Sequence, residues 1–329
     1  MGNHDCRMVK IIDSGFDGPA IKTTVVRILK DCLLSFPATA QAVESGKVEL
    51  NPPTSPVAGT ETGIGEWPWM VAIKRRTDSI SFMGLPDFSV NLSMCNGVLL
   101  DERHVLTAAS CVHSTAVRPV SVTGIRALLG EHDVYASDEI LTYNSSVARV
   151  VFPLTFNPRL WKHNLAILQL SKPVDYTRNI RPICLPVDYN VFRTDDAVVT
   201  RWEDEPLLGV PNGLTNKVVA FNVQILNETY CSQSLYSSFD ELLRFTDDAS
   251  SSIDVNDFVC VEARTVLHEC GEEISVPLVR RDQTGAYFLA GVSKSNINCN
   301  DLFPTVYTRI GQISNFLNIA LQLTATSMK

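Results

Sequence analysis

The chain has 329 residues, of which 45% are apolar and 19% charged, and its formal net charge is −8. This length and composition predict one large globular domain or two of ordinary size, and they exclude an extensively disordered protein. The acidic balance argues against binding to nucleic acid or to anionic membrane, and no apolar run approaches the roughly 18 residues that a membrane-spanning helix needs.

Nine cysteines are spread along the chain without a CxxC pair, which argues against a zinc site or a thioredoxin-like motif. Spread cysteines in a chain of this size indicate disulfides and an oxidising compartment. Three sequons, at Asn91, Asn144 and Asn227, are glycosylation candidates that point to the same compartment. The first residues, MGNHDCRMVK, carry no apolar signal-peptide core, so we expect secretion with a first segment that is missing or misassigned.

Residues 1–55 differ in character from the rest of the chain. Val25 to Phe36 predicts a short amphipathic helix or a strand, and the proline-rich run from Asn51 to Pro56 predicts an extended linker. Cys6 and Cys32 are the cysteines of this segment. It is either the remnant of a pro-region or a loosely held tail.

From Pro56 to Lys329 the chain predicts a second unit that is all-β. Short runs rich in branched residues, separated by turn residues, are typical of the strands of a barrel or sandwich. A helix is predicted at the end, because Ile313, Phe316, Leu317, Ala320 and Leu321 recur at helical spacing. The strand-like runs are Trp69–Lys74, Asn96–Leu100, Ala148–Phe152, Leu165–Leu170, Lys217–Val223 and Ala286–Val292.

Six sequence blocks resemble, in the same order, blocks of the trypsin/chymotrypsin-like serine proteases. Together they extend the resemblance over about residues 56–323, which implies two antiparallel β-barrels closed by a C-terminal α-helix. The blocks are GEWPWMVAI (Gly65–Ile73), CNGVLLDERHVLTAASC (Cys95–Cys111), HNLAILQL (His163–Leu170), RPICLP (Arg181–Pro186), CGEEISVPL (Cys270–Leu278) and FPTVYTRI (Phe303–Ile310).

The resemblance places three other residues where the family has its catalytic triad. Ser110 stands in place of the histidine, Asn164 in place of the aspartate and Ile274 in place of the nucleophilic serine. A hydroxyl does not take up a proton usefully near pH 7, a neutral amide does not stabilise an imidazolium, and isoleucine has no heteroatom. We therefore predict that the family mechanism is lost.

The surroundings of the triad positions also depart from the family pattern. The turn that forms the oxyanion hole contains Glu272, whose carboxylate has the wrong sign, and Glu273 stands in place of the activation aspartate. His268, Lys294 and Ser295 stand at substrate-pocket positions, so no side-chain preference is assigned. The expected IVGG activation sequence reads Pro-Val-Ala-Gly after Ser55, and we predict no tryptic activation there.

Three neighbouring side chains are candidates for a displaced active site. His113 follows Ser110 by three residues, His163 adjoins Asn164, and Ser275 follows Ile274. All three would have to come within hydrogen-bond reach of one another, which makes ordinary packed or surface residues the favoured interpretation.

The resemblance also implies a disulfide framework. Each bridge typically contributes about 2–4 kcal/mol to stability. The family's other barrel disulfide is missing at both ends, at Ala197 and Arg280. The implied pairs are Cys95–Cys111, Cys231–Cys260, Cys270–Cys299 and Cys184 with either Cys32 or Cys6, which leaves one odd cysteine.

The interpretation of these residues is a secreted, arthropod-like, non-catalytic serine protease homologue, a glycoprotein without cofactor or metal. The resemblance implies a binding or regulatory role in a proteolytic cascade such as innate immunity or melanisation, with proteases, zymogens or inhibitors as partners. Two alternatives stay open. One is an S1-type endopeptidase with a displaced or atypical active site, and the other is an extracellular adhesion or carrier module.

Overall fold

The structure is a computed structural model. It describes residues 60–77, 91–113, 120–134, 142–157, 162–186, 196–202, 217–233, 235, 255–261, 275–281, 286–293, 305–311, 316–317 and 319–321.

The first half of the described chain forms a closed six-stranded barrel. All neighbouring strands are antiparallel, and they follow the order β2-β3-β4-β7-β6-β5 around the barrel. The strands are β2 (Met70–Thr77), β3 (Asn91–Leu99), β4 (His104–Thr107), β5 (Val120–Leu129), β6 (Tyr143–Val151) and β7 (Ala166–Leu170).

The second half forms an antiparallel seven-stranded sheet in the order β1-β9-β8-β11-β12-β13-β10. A β-bridge between Ile225 and Val261 brings the end of β9 to the edge strand β10, so that six of the strands curl towards a barrel. The strands are β1 (Thr60–Glu61), β8 (Asp196–Trp202), β9 (Val218–Gln224), β10 (Phe258–Val261), β11 (Pro277–Arg281), β12 (Tyr287–Ser293) and β13 (Thr305–Arg309).

Strands β4 and β7 are buried on both faces because they lie between two cores. Val105 and Leu168 point into the interior of the first barrel. Leu106 and Ile167, one residue away on each strand, join a core that also contains Trp202 of the second sheet. The period of two along a strand therefore explains why apolar residues directly follow one another in the middle of both strands, instead of alternating with polar ones.

The chain passes from the first barrel to the second along residues 181–186, and this connection is bonded to both. The N–H of Ile183 donates to the carbonyl of Leu99 at 3.0 Å, on β3. The carbonyl of the next residue, Cys184, accepts from the N–H of Leu289 at 3.0 Å, on β12.

Helices are few in the described part of the chain. They comprise α1 (Ala109–Val112), residues 228–233 and 235, a short 3-10 helix (Val255–Asp257) and helical residues at 316–317 and 319–321. In the last of these, Leu317 and Ala320 pack into the core shared by the two barrels. No helix among the described residues combines the length and the apolar character that crossing a membrane requires.

The predicted all-β architecture of two barrels with a C-terminal helix is confirmed. The predicted run Leu165–Leu170 corresponds to β7, and Ala286–Val292 to β12. Two strands begin five residues earlier than predicted, β3 at Asn91 rather than Asn96 and β6 at Tyr143 rather than Ala148. The polar first half of β6 is held by pairing with β5, where Tyr143 lies opposite Leu129.

Candidate functional site

Helix α1 carries Ser110 at a corner that is fixed from three directions. Strand β4 leads into Ala108, whose backbone is still extended, and the helix begins at the next residue. A disulfide from Cys111 ties the helix to Cys95 on β3. The guanidinium of Arg75 on β2 donates through Nη1 to the carbonyl of Cys111 at 2.6 Å.

Ser110 and Asn164 form a reciprocal pair in the interior. The backbone N–H of Ser110 donates to Oδ1 of Asn164 at 2.8 Å, and Nδ2 of Asn164 donates to Oγ of Ser110 at 3.1 Å. Asn164 is completely buried and Ser110 is 5% exposed. An amide and a hydroxyl stay neutral across the pH range in which proteins fold, so this pair supplies neither a general base nor a carboxylate.

Ser275, the neighbour of the nucleophile position, forms a second buried contact, which reaches from the second sheet to the first barrel. Its Oγ accepts a hydrogen bond from the N–H of Ala108 at 2.6 Å and lies 2.9 Å from Oγ1 of Thr107. The Thr107 hydroxyl gives its own proton to the carbonyl of Asn96 at 2.8 Å. The Ser275 hydroxyl must therefore donate to Thr107, because a hydroxyl has a single proton.

The backbone at Ser275 adopts a conformation that is unusual for a residue with a side chain. Its φ is +37°, in the left-handed region, and the side chain is 2% exposed. The next residue, Val276, donates its N–H to Oγ of Ser293 at 2.7 Å, and Ser293 returns a backbone hydrogen bond to the carbonyl of Val276 at 2.8 Å. The start of β11 is thus held against the end of β12.

His113 and His163, the two histidines near the triad positions, have described contacts with side chains other than Ser110, Asn164 and Ser275. The ring of His113 packs edge-on against Phe156 and Phe152, with centroids 5.4 and 6.0 Å apart. His163 has a φ of +51°; its Nδ1 lies 2.6 Å from Oγ1 of Thr155, and its Nε2 lies 3.4 Å from Oδ1 of Asp257.

Several of the predicted site residues lie outside the described residues. They are Ile274, Glu272, Glu273, His268, Lys294, Ser295, Cys270, Cys299, Cys32, Cys6 and the side chain of Asn91.

Two of the three sequon asparagines have described side chains, and both are exposed. Asn144 lies on β6, and Asn227 lies just before residues 228–233, where its Oδ1 accepts from the N–H of Tyr230 at 2.8 Å.

The disulfides that the structure describes join Cys95 to Cys111 and Cys231 to Cys260. Cys184, on the connection between the barrels, is also disulfide-bonded, and its partner lies outside the described residues. Whether that partner is Cys32 or Cys6 stays a prediction.

Sequence reasoning missed two features of the site. Asp257, just before β10, is buried and faces both His163 and Nζ of Lys162, the latter at 3.7 Å. Ser275 reaches Ala108 across 167 positions of sequence. Neither contact has a signal in local spacing, because each joins segments that only the packing of the two barrels brings together.

The two-barrel fold is consistent with that of the chymotrypsin-like proteases. The trypsin family model matches residues 56–317, and the chain belongs to the trypsin family. The resemblance predicted from the six sequence blocks is thereby confirmed.

Three similar proteins come from arthropods. The serine proteinase stubble of Drosophila melanogaster is 27% identical over 269 residues, which cover 81% of this chain and 31% of stubble. The serine protease filzig of the same species is 28% identical over 81% of this chain and 14% of its own length. The proclotting enzyme of Tachypleus tridentatus is 28% identical over 79% of this chain and 64% of its own length. The chain thus spans less than two thirds of each of these relatives.

Proposed function

We propose that this protein is a non-catalytic serine protease homologue that acts by binding proteins of a proteolytic cascade. The observation that carries the proposal is the buried pair of Ser110 and Asn164, which hydrogen-bond to each other where the family has its histidine and aspartate. Each of the two side chains has a hydrogen-bond partner in this contact, so the pair has a structural role that requires no catalysis.

The magnitude of the loss supports a binding role. In subtilisin, removal of the nucleophile or the histidine alone lowers kcat by about 10⁶-fold. In this chain the histidine, aspartate and nucleophile positions all carry other residues, namely Ser110, Asn164 and Ile274. A protein that keeps the bridged two-barrel fold with these substitutions still presents a specific surface.

A displaced active site has little support from the described contacts. The hydroxyl of Ser275 accepts from Ala108 and donates to Thr107, so its proton is already engaged in the interior. The described contacts of His163 are with Thr155 and Asp257, and those of His113 are with two phenylalanines. A nucleophile and its base need to lie within hydrogen-bond reach of each other, and none of these contacts joins Ser275 to a histidine.

An activity assay tests the loss of catalysis. The purified full chain is incubated with a panel of peptide substrates and with a fluorophosphonate probe, beside trypsin as the positive control and the Ser275→Ala variant as the matched control. We expect neither turnover above the no-protein blank nor labelling. Labelling of the folded wild type that Ser275→Ala abolishes would instead establish an enzyme with a displaced nucleophile and would overturn the proposal.

The cascade role is the finer part of the proposal. It is supported by the family and by similarity to a protein named as a proclotting enzyme. The test adds the purified chain to body fluid of the source organism, measures the rate of zymogen activation, and identifies retained proteins by mass spectrometry. A changed rate with a protease, zymogen or inhibitor retained supports the cascade role. An unchanged rate with none of them retained favours an adhesion or carrier module.

Secretion with glycosylation also belongs to the proposal. The exposed positions of Asn144 and Asn227 and the described disulfides support it. In secreted protein from eukaryotic cells, we expect glycosidase treatment to lower the mass, and the variants Asn144→Gln and Asn227→Gln each to remove one glycan. Secreted protein of unmodified mass would contradict this part.

A further inference from the structure

Two cations lie directly opposite each other on the outer face of the first barrel. Lys74 on β2 and Arg126 on β5 are partners in the antiparallel register, and both side chains are exposed. The preceding pair on the same face, Ala72 with Leu128, is buried in the core that the two halves share. At Lys74 and Arg126 the two strands therefore pass from that core into solvent.

The two side chains repel each other without compensation from the described part of the chain. Neither Lys74 nor Arg126 makes a side-chain hydrogen bond or an ion pair with a described residue. Like charges that face each other across paired strands lower stability. An arrangement that costs stability and completes no contact among the described residues favours an anionic ligand from outside the chain.

Strand β6 and the residues that follow β7 continue the row of polar side chains across the barrel. Ser146 on β6 lies opposite Arg126, and its hydroxyl donates to that of Ser171 at 2.8 Å. Lys172 comes next and is exposed. Neighbouring strands lie about 4.8 Å apart, so the row from Lys74 to Lys172 crosses three strand spacings, or about 14 Å.

Arg149 adds a further positive charge on β6. Its neighbour Val150 packs against the interior core of the first barrel, so the side chain of Arg149 points outwards and is exposed. Among the residues that the structure describes, neither Arg149 nor Lys172 has a side-chain hydrogen bond or ion pair. Four exposed cations thus lie on one side of the barrel.

The backbone of this surface is not available to an added peptide strand. In the closed barrel β2, β5 and β6 each pair with a strand on both sides, so they present no free edge. A ligand here is therefore held by charged and hydroxyl side chains, and a row of cations suits a linear polyanion. The described disulfides indicate an oxidising compartment, where sulfated polysaccharides rather than nucleic acids are the linear polyanions.

We propose that the outer face of β2, β5 and β6 binds a linear sulfated polysaccharide through Lys74 and Arg126. Lysine and arginine form charge-assisted hydrogen bonds with anionic oxygens. The chain as a whole carries a net charge of −8, so attraction is confined to this surface and binding should weaken steeply with added salt. The choice of a polysaccharide rests on the secretion proposed above, whereas binding in vitro does not depend on it.

The test titrates the full folded chain with a heparin oligosaccharide at about 50 mM and about 200 mM salt. We expect a Kd of about 100 µM or tighter at the lower salt, which is in the range of electrostatic binding to polyanions, and weaker binding at the higher salt. Poly-L-glutamate with the same number of charges represents an acidic polypeptide, and neutral dextran is the blank. Sugar rings hold their sulfates on a stiff chain, whereas a flexible polypeptide loses more entropy on binding, so poly-L-glutamate should bind at least about fivefold more weakly.

Three variants locate the binding surface. Arg126→Gln should weaken heparin binding by about fivefold and lower the slope of log Kd against log salt by about one, and Lys74→Gln combined with it should lower the slope by about two. Arg281→Gln removes one charge from an exposed position on β11 of the second sheet, and should change the Kd by about twofold or less. Loss of one of two repelling charges should not destabilise the barrel, and thermal melting of each variant checks that it is folded.

Three results would each overturn the proposal. The first is no heparin binding by the folded wild type at the lower salt. The second is equally tight binding of poly-L-glutamate, which would assign the surface to an acidic polypeptide. The third is equal weakening by Arg126→Gln and Arg281→Gln, which would place the bound heparin elsewhere. None of these results bears on whether the protein is catalytic.

Discussion

Ser110 and Asn164 bond to each other in both directions, with the serine N–H as donor in one hydrogen bond and the asparagine amide as donor in the other. The pair joins α1 to the residue that leads into β7, across 54 positions of sequence. Both hydrogen bonds use the side chain of Asn164. Ser110 uses its backbone N–H in one of them and its side-chain oxygen in the other. This asymmetry makes the two positions separable by mutation.

Replacement of Asn164 is expected to destabilise the fold more than replacement of Ser110. Asn164→Ala leaves the buried N–H and Oγ of Ser110 without partners, and should lower the free energy of unfolding by about 2–4 kcal/mol. Ser110→Ala keeps the backbone hydrogen bond and should cost about 1–2 kcal/mol. Urea denaturation measures both, with exposed Asn144→Ala as a control within about 0.5 kcal/mol of wild type. Equal losses at the two positions would contradict the reciprocal pair.

Substitutions of Ser275 separate its hydrogen bonds from its backbone strain. Ser275→Ala removes the acceptor for the buried N–H of Ala108 while keeping a side chain at positive φ, so we expect a loss of about 2 kcal/mol. Ser275→Gly removes the same acceptor but suits the left-handed backbone, so its loss should be smaller, about 1 kcal/mol. The two variants are compared by chemical denaturation. A larger loss for glycine than for alanine would show that strain at this residue is negligible.

Tyr307 is expected to make the protein less stable in alkali. Its side chain is fully buried, and this burial raises the pKa of the hydroxyl well above its ordinary value of 10.0. Below pH 10 the phenol is neutral in both states; above it the unfolded chain ionises first, so stability falls by up to about 1.4 kcal/mol per pH unit. Tyr307→Phe should remove this part of the loss.

The measurement for Tyr307 is the unfolding midpoint at about pH 8 and about pH 11, the two sides of the ordinary tyrosine pKa. The Tyr307 hydroxyl has no described hydrogen-bond partner, so the phenylalanine variant should be at least as stable as wild type at the lower pH. Tyr176→Phe, at an exposed position, is the matched control. An identical alkaline loss in Tyr307→Phe and wild type would refute the assignment.

Asp257→Asn is expected to lower the free energy of unfolding more than a matched substitution on the surface does. Asp257 is buried between the barrels and faces Lys162 and His163, so loss of its charge should lower the free energy of unfolding by about 1–2 kcal/mol. Glu61→Gln removes the exposed ion pair with Lys217 and should cost about 1 kcal/mol or less. Thermal melting compares the two. A larger effect at Glu61 would contradict the importance of the contact between the barrels.

Much of the fold could be predicted because its signal is local. The run Leu165–Leu170 is mostly apolar and rich in branched residues, and β7 lies within it between two cores. The helical spacing of Leu317 and Ala320 likewise matches their burial. The polar start of β6 could not be predicted, because Asn144 and its neighbours are strand only by virtue of pairing with β5.

The site was predictable in its positions and not in its contacts. The resemblance of the six blocks to the protease family marked Ser110 and Asn164, and the structure brings these two together. That Ser275 would use its hydroxyl within the interior, or that His163 would face Asp257, depends on how two separate sheets meet. No pattern within one segment carries that information.

The connection at residues 181–186 has a mechanical consequence. Ile183 is hydrogen-bonded to the first barrel and Cys184 to the second. The segment therefore holds the two barrels together rigidly and does not act as a hinge. A single core containing Leu106, Ile167 and Trp202 also spans both halves. Neither barrel can open without exposing the surface that the other covers, so we expect the two halves to unfold as one cooperative unit, with a partner bound to either half stabilising both.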